Sequence, residues 1–139
     1  MTTILAVRSL GMLLCDTQAT YGAMRHQTRK AFCVGDALYA ASGDVQDCEL
    51  FFQWVMWAMD EEDNTRKPAL HESFAAVKLS RDALFYAADK LAWEFIYEDA
   101  WAIGSGRDFA IGALCAGALP GESMLIAAQC DVFTGEPIQ

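Results

Sequence analysis

Histidine and proline are scarce in this 139-residue chain, with two of the first and three of the second. The two histidines, His26 and His71, stand far apart, no HExxH occurs, and no cysteines pair at zinc spacing. The common zinc sites are therefore excluded, and no metal or organic cofactor is expected. A GxSxG elbow is also missing, which argues against a serine hydrolase of that type. Gly104-Ser105-Gly106-Arg107-Asp108 looks superficially like a phosphate-binding loop, but it lacks Lys-Ser/Thr and too little chain follows it for a dinucleotide fold. No apolar run reaches the roughly 18 residues that span a bilayer. The best, Phe109 to Leu119, is short and interrupted by Gly112 and Gly117, so no membrane partner is expected. Positive charge is short too: ten basic residues against nineteen acidic give a net charge of −9. That balance disfavours nucleic acid as a partner. The start of the chain is apolar without a basic leading region, and Asp16 follows closely, so no secretory signal is expected. Five cysteines (15, 33, 48, 115, 130) are odd in number and read as reduced thiols of a cytoplasmic protein.

What is present is apolar: 54% of residues are hydrophobic, which excludes disorder and suits one domain over residues 1–139. Charge is unevenly spread. Residues 1–30 hold Arg8, Arg25, Arg29 and Lys30 against Asp16 alone, a net of +3 beside −12 for the rest. Runs 2–8 and 12–20 predict a hairpin about Gly11, and 28–33 with 37–42 a second pair about Gly35. After Gly43, Asp44 can cap a helix over 45–59. Cys48, Phe51, Phe52, Val55, Met56 and Met59 form one apolar face, with Leu50, Trp54 and Trp57 a second stripe. A helix apolar on two sides is sandwiched or sits at a subunit contact. The acidic cluster Asp60-Glu61-Glu62-Asp63 opens a loop running to Glu72. Residues 73–80 and 83–88 predict another hairpin, and 93–97 and 101–104 further strands. Helices over 107–118 and 121–130 follow, then one short strand within 132–139. The order predicts an α+β layered domain of antiparallel sheet with helices outside.

Chemistry concentrates at the start. Thr2 follows Met1, and a small second residue permits removal of the initiator methionine. A freed Thr2 carries a hydroxyl nucleophile and an α-amine of ordinary pKa about 8, which can serve as general base without a histidine.

Six motifs then occur in order: TTILAVR at 2–8, CDTQATYG at 15–22, RK at 29–30, AASGD at 40–44, AIGSGRDFAIGAL at 102–114 and DVFTG at 131–135. Together they resemble the proteasome β-type family of N-terminal nucleophile hydrolases, most nearly HslV and its short phage or prophage relatives. The resemblance covers most of the chain and implies an αββα sandwich of two antiparallel sheets flanked by helices. It implies that Thr2 is the nucleophile and that Asp16 and Lys30 are the buried acid–lysine pair beside it. A cation there lowers the affinity of the neighbouring amine for its proton. Gly43 matches the oxyanion-hole position, where glycine lets a substrate approach the main chain. Ser105 matches the serine bonded to the nucleophile's amine, and Asp131 and Thr134 its supporting acid and hydroxyl. Thr20, Gly43 and Val45 match a groove that pairs an extended peptide as an added strand. Ala19, Thr28, Phe32, Ala41 and Val45 would shape the first specificity pocket.

The chain departs from the larger relatives in having one helix, not two, after AASGD, and in a shortened C-terminus. Loss of an outer helix would leave Leu50, Trp54 and Trp57 in need of a partner. The implied function is a threonine-type peptidase acting on peptides or unfolded proteins within a homo-oligomeric ring, with an ATP-dependent unfoldase as a possible partner. Two alternatives stand beside it: a catalytically silent, ring-forming structural subunit, and a small-molecule amidohydrolase on the same scaffold. An enclosed pocket favours the amidohydrolase, and a groove with open strand edges favours peptides.

Overall fold

The computed structural model describes residues 2–21, 24–58 and 66–139. Met1, Gly22, Met59 and the acidic cluster 60–63 lie outside these residues. Among the described residues, ten strands and three helices run in the order β1 (Thr3–Val7), β2 (Met12–Cys15), β3 (Gln18–Tyr21), β4 (Met24–Gln27), β5 (Ala31–Val34), β6 (Ala37–Ser42), α1 (Val45–Ala58), β7 (Ala75–Ser80), β8 (Ala83–Ala88), β9 (Glu94–Ile96), β10 (Ala100–Gly104), α2 (Arg107–Cys115) and α3 (Pro120–Cys130). A three-stranded sheet, β10-β1-β2, faces a five-stranded sheet, β5-β6-β7-β8-β9, and β3-β4 forms a separate ribbon. Pairing is antiparallel throughout.

Alternation along β1 builds the layers. Every residue from Thr3 to Val7 is buried, because the strand is covered on both faces. Ile4 and Ala6 pack between the sheets with Ala40, Val77, Leu79 and Leu84. Leu5 and Val7 turn the other way, onto Ala110, Met124 and Ala127 of α2 and α3. The outer face of the five-stranded sheet (Tyr39, Ala41, Ala76) packs against Phe51, Phe52, Trp54 and Val55 of α1. The resulting order is α1, sheet, sheet, α2 and α3: the αββα sandwich. Among the described residues, α1 is the one helix on its face.

Several sequence expectations change. The run 12–20 breaks at Asp16, whose main-chain N–H bonds Thr3 O and whose side chain accepts the Thr3 and Gln18 N–H groups. The chain thus leaves the sheet, and β3 pairs instead with β4, a strand the sequence reading did not anticipate. Trp54 does not belong to an outward stripe. It is buried, its ring 6.3 Å from that of Phe51. Met56, expected on the packed face, is exposed. Leu50 and Trp57 do face outward, Trp57 at 80% exposure. In place of a C-terminal strand there is a single bridge between Asp16 and Ile138.

Candidate active site

Thr2 stands at the head of β1, 4% exposed, in the wall of a cleft of about 750 Å³. Its carbonyl accepts the Ser105 N–H at 3.1 Å. The approach is close enough that a Cβ on Gly104 would lie 1.5 Å from that oxygen, and Gly104 holds φ at +94°. Lys30, Gly43, Ser105, Ala19, Thr20, Thr28, Ala41 and Val45 line the same cleft.

Asp16 lies behind the cleft, fully buried, and Lys30 reaches it with Nζ 3.1 Å from Oδ2. The lysine also donates to the carbonyl of Gln18. The carboxylate is saturated: Oδ1 accepts Thr3 N–H at 2.8 Å, and Oδ2 accepts Gln18 N–H at 3.2 Å and Gly135 N–H at 3.3 Å. A buried carboxylate is tolerated on these terms, paired and hydrogen-bonded. Gln139 supports the lysine from behind. Its side-chain oxygen accepts Lys30 N–H at 3.4 Å, and its amide nitrogen donates to Ala31 O at 3.1 Å. Of the other N-terminal cations, Arg8 bonds the carbonyls of Ile96 and Tyr97, and Arg29 lies over the Phe32 ring.

On the opposite flank, Ser105 Oγ donates to Asp131 Oδ2 at 2.5 Å, and Thr134 Oγ1 donates to the same oxygen at 2.5 Å. Asp131 and Thr134 are thus set behind Ser105 and do not line the cleft. Burial pushes the Asp131 carboxyl up, but the Ser105 and Thr134 hydroxyls and the Phe133 N–H outweigh it, so its pKa falls below the ordinary value.

Gly43 joins β6 to α1 with φ +143°, and a Cβ there would meet Phe74 Cα at 3.2 Å. Asp44 caps the helix, accepting Gln46 N–H at 2.8 Å. One turn on, the half-buried Cys48 also lines the cleft. Burial raises its thiol to about 12 against the partial counter-effect of Lys30, so it is protonated near neutral pH and a poor rival nucleophile. Phe32, expected in the first pocket, is not part of the lining. Its ring packs 4.1 Å from that of Phe52, and Phe52 lines the cleft together with Phe74 and Tyr86.

The ribbon β3-β4 sets the remaining edge. Thr28 N–H bonds Thr17 O at 2.8 Å, and the register continues through Ala19↔His26. Antiparallel pairing alternates, so the main-chain groups of Thr20 point away from β4, toward the unpaired side of the strand. Thr3, Gln18 and Gln139 were missed by sequence reasoning. Gln18 lies inside the CDTQATYG motif and Thr3 follows from alternation along β1, whereas nothing local marks Gln139.

No family model and no curated protein sequence matches the chain. Solved structures do match across 99% of it. BPH of Thiobacillus denitrificans in complex with epoxomicin superposes with a TM-score of 0.72 at 18% identity, over 95% of that chain. Eukaryotic HslV from Trypanosoma brucei gives 0.72 at 21% identity, over 96% of its length. The fold is that of HslV. The (Gly-1) mutant of Anbu from Hyphomicrobium sp. strain MC1 gives 0.68 at 14% identity, over 79% of that chain. The HslV-type αββα sandwich therefore extends over 99% of the chain.

Proposed function

We propose that the chain is a threonine-type peptidase whose nucleophile is the Thr2 hydroxyl, freed by removal of Met1. The observation that carries this reading is the convergence of Thr2, Lys30, Gly43 and Ser105 on one cleft, with the buried Asp16 behind Lys30 and the partly buried Asp131 behind Ser105. In the first step the Thr2 oxygen attacks the carbonyl carbon of a peptide bond while its proton passes to the Thr2 α-amine. The carbonyl electron pair moves onto oxygen, which the Gly43 N–H receives. Collapse re-forms the carbonyl and breaks the C–N bond, with the amine's extra proton going to the departing nitrogen. Water then attacks the Thr2 ester, releases the acid and restores the hydroxyl. Lys30, fixed by Asp16, keeps positive charge beside the reacting residue and opposes protonation of the amine. Ser105 spends its own proton on Asp131, so its oxygen lone pairs are left to orient the α-amine.

The outward main-chain groups of Thr20, on a cleft that Gly43 and Val45 also line, suit an extended peptide better than a small amide. A small, mostly apolar first pocket is built from Ala19, Thr28 and Ala41 over Phe52. The protein acts as one domain over residues 1–139, in the cytoplasm, where its five free cysteines stay reduced. It assembles as a homo-oligomer, more consistent with a closed ring than a lone dimer, through the exposed Leu50 and Trp57 of α1. An unfoldase partner, if present, would feed that ring.

The test is hydrolysis of unstructured peptides by wild type, Thr2→Ala and Thr2→Ser at equal oligomeric mass. Wild-type turnover, none in Thr2→Ala and reduced turnover in Thr2→Ser is the expected pattern. A wild type that cleaves no peptide but hydrolyses small amides would favour the amidohydrolase, and one inert to both the silent subunit.

A further inference from the structure

The hydroxyl next to the proposed nucleophile is fully buried and makes no contact with the cleft. Thr3 is 0% exposed. By alternation along β1 its side chain faces the helical layer, on the opposite side of the sheet from Ile4. Its oxygen accepts the Gly106 N–H at 2.9 Å and lies 2.5 Å from Thr134 Oγ1. Its main chain faces the other half of the site: Thr3 N–H donates to Asp16 Oδ1 at 2.8 Å, and Thr3 O accepts Asp16 N–H at 3.1 Å.

Proton counting fixes the direction of these bonds. Thr134 has one hydroxyl proton and gives it to Asp131, so Thr3 must be the donor to Thr134. Thr3 in turn is held as an acceptor by Gly106. The chain runs one way, from Gly106 N–H through Thr3 and Thr134 to Asp131, where the Ser105 hydroxyl also ends. Consecutive hydroxyls of this kind polarise one another.

We propose that Thr3 is a positioning residue for the hydrolysis, coupling the Asp16–Lys30 pair to the Ser105–Asp131–Thr134 group and holding Ser105 as an acceptor toward Thr2. This rests on the peptidase reading of the cleft. Its own content is separate: the Thr3 oxygen touches no substrate, so its loss acts on turnover and not on substrate binding.

The experiment compares steady-state kinetics of wild type, Thr3→Val and Thr3→Ser on one fluorogenic peptide. Valine keeps the shape and removes the hydroxyl, which leaves Gly106 N–H buried without a partner. Thr3→Val is expected to lower kcat by about tenfold or more with KM within about twofold, the scale of losing one buried hydrogen bond from a network. Thr3→Ser is expected to stay within about threefold of wild type in both constants. If Thr3→Val does not fold, Thr3→Cys substitutes, since a thiol is a weak donor in the same space. Unchanged kcat in a folded Thr3→Val or Thr3→Cys protein would overturn the proposal. So would a rise in KM alone, or a kcat loss in Thr3→Ser equal to that in the hydroxyl-free variant. A wild type inactive on every peptide would instead overturn the peptidase reading.

Discussion

Lys30 Nζ lies 3.1 Å from Asp16 Oδ2, and both side chains are buried. The carboxylate also collects main-chain N–H groups from Thr3, Gln18 and Gly135, so residues distant in sequence meet on one oxygen pair. Removing the lysine therefore leaves a buried charge that is still solvated by three donors. Lys30→Ala is expected to fold with a stability loss of about 3 kcal/mol, the low end for breaking a buried pair. Its peptide turnover should fall by about a hundredfold or more, as for loss of a group acting at the proton transfer. Urea unfolding and kinetics on the same preparation check both, and near-wild-type turnover would count against the mechanism.

Gly104 is a steric requirement. A Cβ would sit 1.5 Å from Thr2 O with φ at +94°, so Gly104→Ala must displace the head of β1. A loss of about 3 kcal/mol or more is expected, the range for combined overpacking and backbone strain. A thermal melt within a degree or two of wild type would contradict the local geometry.

His71 offers a titration test of the contact between α1 and the segment before β7. Its Nδ1 lies 2.8 Å from Asp47 Oδ2, and the side-chain hydrogen bond with its charge attraction raises the His71 pKa above the ordinary value. With the folded value raised, the stabilisation is fully present below the unfolded pKa of about 6.5 and is lost as pH rises through the folded pKa. The imidazole midpoint, followed by NMR, should lie above the ordinary value and fall toward it in Asp47→Asn. A midpoint insensitive to Asp47 would remove this contact from the account.

Trp57 is 80% exposed on α1, near the half-exposed Leu50. Trp57→Glu should change the stability of an isolated subunit by no more than about 0.5 kcal/mol. It should nevertheless lower the mass seen by light scattering at micromolar concentration. A wild type that is already monomeric would count against assembly through this face.

Fold and site were legible to different degrees. The layers follow from near-continuous apolar runs such as Thr3–Val7 and Ala37–Ser42, which declare two covered faces. Asp44 as a cap and the glycine at 43 were readable because their roles are local. The break at Asp16 was not, since its cause is a carboxylate drawn to the N–H groups of Thr3 and Gly135. Trp54 was misassigned because helical spacing alone cannot tell that Phe51, Phe74 and Trp93 wait on its side of α1. Phe32 was placed in the pocket by motif position, whereas packing turns it onto Phe52. The part of the site supplied by Gln139 depends on a long-range return of the chain, which no local pattern encodes.

The central claim is that the Thr2 α-amine is the base. Any residue retained before Thr2 turns that amine into an amide, which has essentially no basicity near neutral pH. The decisive measurement is peptide hydrolysis by protein whose intact mass shows loss of Met1, beside a variant bearing an uncleavable N-terminal extension. The account predicts turnover in the first and none in the second, although both hold the Thr2 hydroxyl. An extended variant as active as the processed protein would place the base elsewhere and contradict the mechanism.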